Sequence, residues 1–310
     1  MRITTNHLKF AKHKTPVNMV HSINHISIPM TAQLLNGRKL AEKIKLQLKE
    51  KITAQKIKPG LAVILIGDDH ASKIYIKQKQ TACHEVGIIS HLHNLPDNTD
   101  QKTIEALIAK LNNDSLVHGI LLQLPLPSHL KTDNLLECID PKKDVDGFHP
   151  YNLGRLVQRR PLLRPCTPYG VMKLLEATGE NLVGKNAVIV GASNIVGRPM
   201  SLELLMARCT VTVCHSETKN LSQHIQHADI LISATGHHGV INSEWIQPGA
   251  IVIDVGFSRL TNGKITGDID FDSACKRAGW ITPVPGGVGP MTVATLLENT
   301  LLACNAQASA

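Results

Sequence analysis

The chain has 310 residues, of which 43% are hydrophobic and only 3% aromatic, and its mean hydropathy is −0.02. This length fits two domains of ordinary size, and the composition is typical of a soluble globular protein with a core of Leu, Ile and Val. No apolar run reaches the roughly 20 residues that a membrane span requires, so we predict no membrane partner.

The net charge is +8, and four of the positive charges come from Arg2, Lys9, Lys12 and Lys14. No acidic residue precedes residue 30, and the remaining excess is spread thinly along the chain. An anionic cofactor and substrate are a sufficient reason for this balance, so we predict no nucleic-acid partner. The seven cysteines show no CxxC or zinc-type spacing, which is typical of reduced cytoplasmic thiols.

Residues 1–29 are basic and rich in histidine, and they show neither a helix or strand period nor the apolar segment of a secretory signal. One interpretation is a transit peptide to the mitochondrial matrix, which the absence of acids supports and the scarcity of Arg and Ser opposes. We favour a translated upstream stretch, with Met30 as the true start of a cytoplasmic protein. Residues 1–30 are therefore predicted to be a poorly ordered extension.

The first half shows a clear helix and a clear strand. Leu40, Ile44 and Leu48 have helical spacing and predict a helix over 37–55. The unbroken apolar run 61–66 predicts a strand covered on both faces, as in a parallel sheet. The other predicted elements are helices over 71–86 and 103–112, a strand over 119–124, a short helix within 128–150 and a turn-rich run over 141–150.

The segment 151–168 contains three prolines and is predicted to cross into a second domain. Beyond it we predict a helix over 167–178, strands over 187–190, 211–214, 230–233 and 251–254, and a closing helix over 291–303. This alternation predicts an α/β fold of two domains, each with a mainly parallel sheet flanked by helices, the second of Rossmann type. We place the domains at 31–150 and 151–290, and expect helix 291–304 to complete the first.

The run 185–199, KNAVIVGASNIVGRP, predicts a strand, a turn of small residues and a helix. Gly191, Ala192 and Ser193 form the turn, where a phosphate-bearing ligand can approach the backbone at the start of a helix. The pattern departs from G-x-G-x-x-G, because Ser193 replaces the second glycine and Gly197 falls one residue late. It predicts a dinucleotide site, although any strand-turn-helix of an α/β protein is the alternative.

Tyr75 and Lys79 lie four residues apart on one predicted helix and therefore share a face. The start of that helix lies near the carboxyl edge of the sheet, where open α/β sheets bind ligands. A flat ring and an amine suit a heterocyclic substrate and proton transfer, whereas the alternative is a solvated basic face. Gln123 ends a buried strand before a Pro-x-Pro break, where it either holds a lysine amine or caps loop amides.

Asp144 and Asp146 lie in the Gly-containing turn KDVDGFH. Too few ligands accompany them for a calcium loop, and we predict no metal site. Asp146 instead suits the amine and ring nitrogen of a heterocycle, and a plain turn is the alternative. The run 283–292, PVPGGVGPMT, predicts a rigid loop held against a ligand.

Five segments together resemble the bifunctional methylenetetrahydrofolate dehydrogenase/methenyltetrahydrofolate cyclohydrolase family. They are KIYIKQK, GILLQLPLP, KDVDGFHPYNLG, GASNIVGRP and PVPGGVGPMTV, and they occur in the right order. The resemblance implies that Lys79 is catalytic, that Tyr75 stacks on the folate, that Gln123 hydrogen-bonds the lysine and that Asp146 grips the pterin.

The same resemblance implies a phosphate loop at Gly191, Ala192 and Ser193, with Ser216 and Phe257 also touching the cofactor. It implies a substrate loop comprising Pro285, Gly286, Gly287 and Thr292. It further implies tetrahydrofolate derivatives as substrates, bound in a cleft between the domains, and a homodimer formed through the cofactor domain.

We expect NADP to be preferred over NAD. No acid stands at the tip of the strand 211–214 to bind the ribose hydroxyls of NAD, and Arg198 and Ser216 can reach a 2′-phosphate. Glu217 would favour NAD if its carboxylate turned toward the ribose, but we expect it to face solvent.

Two other functions remain open at this point. One is a two-domain dehydrogenase of the shikimate type, which also uses a lysine near a nicotinamide, although Gln123 and the PGGVGP loop speak against it. The other is a non-catalytic dinucleotide sensor, which the intact set Tyr75, Lys79, Gln123 and Asp146 disfavours.

Deletion of residues 1–29 is expected to change neither the melting temperature nor the activity of the protein appreciably. The segment has no pattern that could bury apolar surface. Thermal unfolding of the full and the shortened chain tests this, and a Tm several degrees lower after deletion would contradict it.

Overall fold

The computed structural model describes residues 32–259, 263 and 265–308. The predicted extension, residues 1–30, lies outside these residues. None of the helices in the described part is both long enough and apolar enough to cross a lipid bilayer.

The strands are β1 (Gln33–Leu34), β2 (Gly60–Ile66), β3 (Ile89–Leu95), β4 (Gly119–Leu122), β5 (Asn186–Val190), β6 (Thr210–Cys214), β7 (Ile230–Ser233), β8 (Ile251–Asp254), β9 (Ser258–Arg259), β10 (Ile265–Thr266) and β11 (Trp280–Ile281). The helices are α1 (Gly37–Thr53), α2 (His70–Val86), α3 (Gln101–Asn113), α4 (Thr132–Glu137), α5 (Pro150–Val157), α6 (Cys166–Ala177), α7 (Gly197–Met206), α8 (Leu221–Ile225), α9 (Phe271–Cys275) and α10 (Val288–Ala308).

These strands form two parallel sheets, which confirms the predicted α/β class. The first has the order β3-β2-β4, and the second has the order β1-β11-β8-β7-β5-β6. A short antiparallel hairpin, β9-β10, stands apart from both. The pairing of β1 differs from expectation, because its two residues lie in the range we gave to the first domain and yet pair with β11 of the second sheet.

The apolar run in β2 arises because both faces of the strand are covered. Its residues Leu61, Val63 and Leu65 pack into one core, while the alternate residues pack into another under α3. The first of these cores also contains Ile189 of β5 and Leu297 of α10. One apolar core therefore joins the two sheets, with α10 inside it.

Helix α5 is absent from the sequence predictions, which treated 151–168 as an irregular crossing. Pro150 occupies its first turn, and the His149 side chain accepts a hydrogen bond from the Tyr151 amide at 3.0 Å. The helix has only eight residues, which is too short for apolar spacing to stand out.

Helix α10 is longer than predicted and fastens the chain on both sides of residues 146–164. Asn299 is buried, and its Nδ2 donates to the carbonyl oxygens of Val145 at 2.9 Å and Arg164 at 2.8 Å. One turn earlier, Thr295 Oγ1 donates to the Cys166 carbonyl at 2.8 Å. The ends of the segment that leads from Asp146 to α6 are thus held by one helix.

A second contact, a salt bridge, joins Arg164 to α7. The Arg164 Nε donates to Glu203 Oε1 at 2.9 Å, and the Glu203 side chain is fully buried. The guanidinium also lies over the Tyr169 ring, 3.8 Å from its centroid. A buried carboxylate without its partner would be strongly destabilising, so this pair fixes α7 relative to the crossing segment.

Asn299→Leu is expected to lower the free energy of unfolding by about 1–3 kcal/mol, because the change keeps the side-chain size but removes a buried donor from the carbonyls of Val145 and Arg164. Calorimetric or denaturant unfolding measures the loss. Asn134→Leu, an exposed amide on α4, is the control and should change stability by less than about 0.5 kcal/mol. Equal losses in the two variants would contradict the prediction.

Candidate active site

Lys79 is held by Gln123. The Lys79 Nζ donates to Gln123 Oε1 at 3.0 Å, and Gln123 Nε2 donates to the Leu124 carbonyl at 2.7 Å. Gln123 follows the end of β4 and is only 9% exposed. The oxygen of Gln123 thus holds a lysine amine, as one of the two alternatives predicted, while its NH2 group donates to a loop carbonyl rather than capping loop amides.

Tyr75 lies one turn before Lys79 on α2 and is half-buried. Burial raises the pKa of its hydroxyl. Neither side chain is part of a fully solvated basic face, in contrast to the neighbouring exposed Lys73 and Lys77.

Asp146 lies within electrostatic reach of Lys79. Burial raises the pKa of the Asp146 carboxyl, the positive charge of Lys79 opposes that rise, and the nearby Asp144 adds to it. The backbone carbonyl of Asp146 accepts from the Cys166 amide at 3.2 Å, which fixes the turn against the start of α6. An amine, an amide oxygen and a carboxyl group are thus brought together from α2, the end of β4 and the turn.

The Asp144 carboxylate stabilises the backbone of the turn in which it lies. Its carboxylate accepts from the amides of Gly147, Phe148 and His149 and from Asn152 Nδ2, at 2.8–3.3 Å. This carboxylate is 2% exposed, and its oxygens are fully used in shaping the backbone around Asp146. The two acids of the motif therefore have different tasks.

The sequence analysis missed two residues beside the site, Cys166 and Asn299. The buried Cys166 Sγ donates to the Val145 carbonyl at 3.1 Å, and burial followed by the charge of Asp146 raises its pKa well above the usual value. Such a thiol is inert. The available signal for Asn299 was its spacing of four residues from Thr295, which places two polar side chains on one face of a helix that packs into the core.

The turn after β5 needs its glycines for chain packing. Gly191 has φ +117°, and a Cβ there would stand 2.2 Å from the Ala234 carbonyl oxygen. A Cβ on Gly197 would stand 1.9 Å from the carbonyl oxygen of Gly191. We predicted small residues here for the approach of a phosphate. The structure adds a second reason, because the turn packs against α7 and against Ala234, the residue after β7.

Ser193 caps the start of α7. Its Oγ accepts from the amides of Val196 and Gly197, and its carbonyl accepts from the Arg198 amide. The first-turn amides that we expected to face an anion are thus engaged. Within the described residues, the amides of Ser193, Asn194 and Ile195 have no hydrogen-bond acceptor, and these three residues are exposed.

Arg198 and Ser216 lie on either side of this turn. The Arg198 Nε donates to the Ala192 carbonyl at 3.0 Å, which leaves the terminal NH2 groups available. The Gly191 amide donates to the Cys214 carbonyl at the end of β6, so the exposed Ser216 follows directly beside the turn. Glu217 is also exposed, as expected.

The loop before α10 is fastened to the start of α1. The Arg38 amide donates to the Gly286 carbonyl at 2.9 Å, while Pro285 is exposed and Gly287 is buried. Thr292 belongs to α10 rather than to this loop, and its Oγ1 lies 3.0 Å from that of Thr167 on α6.

Phe257 lies against Tyr75. The two ring centroids are 5.7 Å apart and the ring planes meet at 66°. A groove of about 330 Å³ also runs between the two halves, lined by Leu124 and Phe148 on one side and by Ile195 and Arg198 on the other. Leu124 follows Gln123 directly and Phe148 stands two residues after Asp146, so the groove runs near both, but the side chains of Gln123 and Asp146 do not line it. The folate cleft stays a prediction.

Two family models match the chain. The catalytic domain of tetrahydrofolate dehydrogenase/cyclohydrolase matches residues 35–146, and the NAD(P)-binding domain of the same enzymes matches residues 165–308. Both halves of the predicted architecture are thus identified, in the predicted order, and the second is an NAD(P)-binding domain. This confirms the folate interpretation over a shikimate-type dehydrogenase or a non-catalytic sensor.

Solved structures agree with this match. The bifunctional enzyme FolD, a methylenetetrahydrofolate dehydrogenase/cyclohydrolase of Campylobacter jejuni, is 52% identical over 89% of this chain and 99% of its own, with a TM-score of 0.87. The FolD of Trypanosoma brucei, complexed with NADP and an inhibitor, is 37% identical over 90% and 99%, with a TM-score of 0.87. The bifunctional enzyme of Thermoplasma acidophilum is 35% identical over 90% and 100%, with a TM-score of 0.85. The chain therefore belongs to the tetrahydrofolate dehydrogenase/cyclohydrolase family.

Proposed function

We propose that one cluster, Lys79, Gln123, Asp146 and Tyr75, serves both the methylenetetrahydrofolate dehydrogenase and the methenyltetrahydrofolate cyclohydrolase activity of this chain. The observation that carries the proposal is the 3.0 Å hydrogen bond from Lys79 to Gln123, with Asp146 in electrostatic reach. A single assay that follows NADPH and methenyl absorbance tests it.

In the dehydrogenase step the residues orient the folate. The ring of Tyr75 offers a flat face for stacking, and the Asp146 carboxyl pairs with the amine and ring nitrogen of the pterin. A bound NAD(P) supplies the acceptor for the hydride that leaves the one-carbon bridge. The free loop amides of Ser193, Asn194 and Ile195 suit its phosphates, since the helix-start amides are already engaged.

In the cyclohydrolase step water adds to the methenyl carbon, the bond from that carbon to one ring nitrogen breaks, and one proton is released. Lys79 is placed to move this proton, because Gln123 holds its amine at a fixed position beside Asp146. The hydrogen bond to Gln123 already restricts the rotamers of the Lys79 side chain, so less rotational freedom is lost when the reaction occurs.

The cofactor preference and assembly are further parts of this proposal. NADP is preferred over NAD, with Arg198 and Ser216 on the 2′-phosphate, and the NADP complex of the Trypanosoma brucei relative supports this. The protein is a cytoplasmic homodimer formed through its cofactor domain. The first domain spans 31–150 and the second 151–290, with α10 completing the first, except that β1 joins the sheet of the second.

Lys79→Met is expected to lower cyclohydrolase turnover by at least about a hundredfold, the usual scale for losing a positioned acid or base. Folate binding should remain largely intact, because Tyr75 and Asp146 are unchanged. The rate of methenyltetrahydrofolate hydrolysis measures this. Lys77→Met, an exposed lysine on the same helix, is the matched control, and near wild-type hydrolysis by Lys79→Met would refute the role.

Arg198→Ala is expected to lower kcat/KM for NADP far more than for NAD, because only NADP carries the 2′-phosphate. The ratio of kcat/KM for the two cofactors, in wild type and variant, measures the effect. Arg160→Ala, an exposed arginine on the crossing segment, is the control. A wild-type preference for NAD, or an equal loss with both cofactors, would count against the prediction.

A further inference from the structure

Two buried carboxylates, Asp254 and Asp268, lie side by side at the carboxyl end of β8. Asp254 is the last residue of β8, and Asp268 follows β10 by two residues. Asp254 Oδ1 accepts from the Asp268 amide at 3.0 Å, and a Cβ on Gly267 would stand 2.1 Å from Asp254 Oδ2. A Cβ on Gly256 would likewise stand 2.0 Å from Asp268 Oδ1. Each carboxylate is thus packed against the backbone of the segment that carries the other.

Among the described side chains, no cation forms a salt bridge with either of these two acids. Burial raises the pKa of the Asp254 carboxyl to about 6, amide hydrogen bonds oppose the rise, and the charge of Asp268 adds to it. Asp268 Oδ1 is buried and has no hydrogen-bond partner among the described residues. Because burying two carboxylates without a cation costs free energy, stability alone does not account for the pair.

Asp268 connects this pair of acids to the turn after β7. Its Oδ2 accepts from the Ser233 hydroxyl at 2.9 Å and from the amides of Thr235 and Gly236 at 2.7 and 3.3 Å. Its backbone carbonyl accepts from the Gly239 amide at 2.8 Å. A single residue therefore fixes both ends of the turn.

The turn after β7 borders the place where a doubly wound sheet binds a dinucleotide. In the order β8-β7-β5-β6, the chain goes from β5 to β6 on one side and continues with β7 on the other, so the switch point lies between β5 and β7. Ala234, the first residue after β7, packs against the turn after β5, since a Cβ on Gly191 would stand 2.2 Å from the Ala234 carbonyl oxygen. The turn that Asp268 holds and the turn that we expect to receive the cofactor phosphates are therefore neighbours.

We infer that Asp268 is a positioning residue for cofactor binding, because its carboxylate holds the turn after β7 at the crevice between β5 and β7. The inference rests on the proposed function for the placement of the cofactor phosphates at the turn after β5. Asp254 acts through Asp268, since it accepts from the Asp268 amide and fixes the backbone there. A turn that is fixed before the cofactor arrives loses little freedom on binding, which favours affinity.

The test compares Asp268→Ala and Asp268→Asn in the full chain, with NADPH binding measured by calorimetry. Asp268→Ala leaves the amides of Thr235 and Gly236 without their acceptor, and it is expected to raise the Kd for NADPH at least about tenfold, the factor for losing one hydrogen bond to a charged group. Asp268→Asn keeps an acceptor oxygen at the same place and is expected to raise the Kd only about two- to fourfold.

Hydrolysis of methenyltetrahydrofolate is the second measurement, because this step uses no nicotinamide cofactor. It should stay within about twofold of wild type in both variants, since Asp268 is expected to act only on the cofactor side. A residue that merely stabilised the fold would instead affect hydrolysis and NADPH binding together. Asp272→Ala, an exposed acid on α9, is the matched control and should change neither.

Three results would overturn the inference. They are an unchanged Kd for NADPH in both variants, an equal loss of NADPH binding in Asp268→Asn and Asp268→Ala, or a loss of hydrolysis in parallel with NADPH binding. If Asp268→Ala does not fold, the isosteric Asp268→Asn decides alone, and an unchanged Kd in it would contradict the inference. Failure of the proposed function appears instead in the hydrolysis rate of Lys79→Met, which is independent of NADPH binding.

Discussion

The position of Asp146 relative to Lys79 depends on the buried hydrogen bonds that α10 donates. Asn299 and Thr295 hold the backbone immediately before Asp146 and at the start of α6, while the apolar residues of the same helix fill the core that both sheets share. Because a buried carbonyl without a donor is costly, the turn that carries Asp146 has one stable position relative to α10. The Asp146 carboxyl group and the Lys79 amine are thereby kept close enough to interact electrostatically.

The site separates its acids by environment. Burial raises the pKa of both carboxyl groups, but hydrogen bonds from Asn152 and the turn amides oppose the rise at Asp144, whereas the charge of Lys79 opposes it at Asp146. Asp144 shapes the backbone of the turn that carries Asp146. The two acids of one short motif therefore differ in their surroundings, and only the three-dimensional contacts distinguish them.

Much of this architecture follows from sequence. The helix carrying Tyr75 and Lys79 is predicted to within one residue of its observed ends. Because ligands bind at the carboxyl edge of parallel strands, the sequence also predicts that Gln123, at the end of a strand, lies near Lys79, as it does. Strands as short as β1 and β11 have no usable period, because two residues cannot alternate. The packing role of Gly197 also lies beyond local patterns, since its neighbour is the carbonyl of Gly191 across a turn.

Because β1 pairs with β11, the two domains are not formed by two continuous and separate stretches of the chain. Within the described residues, the chain leaves the second sheet after Leu34 to build the first, and then returns to the second. A cut between the two halves would separate β1 from β11 and expose the edge of a parallel sheet, which invites aggregation. It would also remove α1 from its contact with α10. A second domain exchanged between relatives would therefore have to include β1 as well. Recombination at the segment between the domains alone would leave the second sheet without its own edge strand.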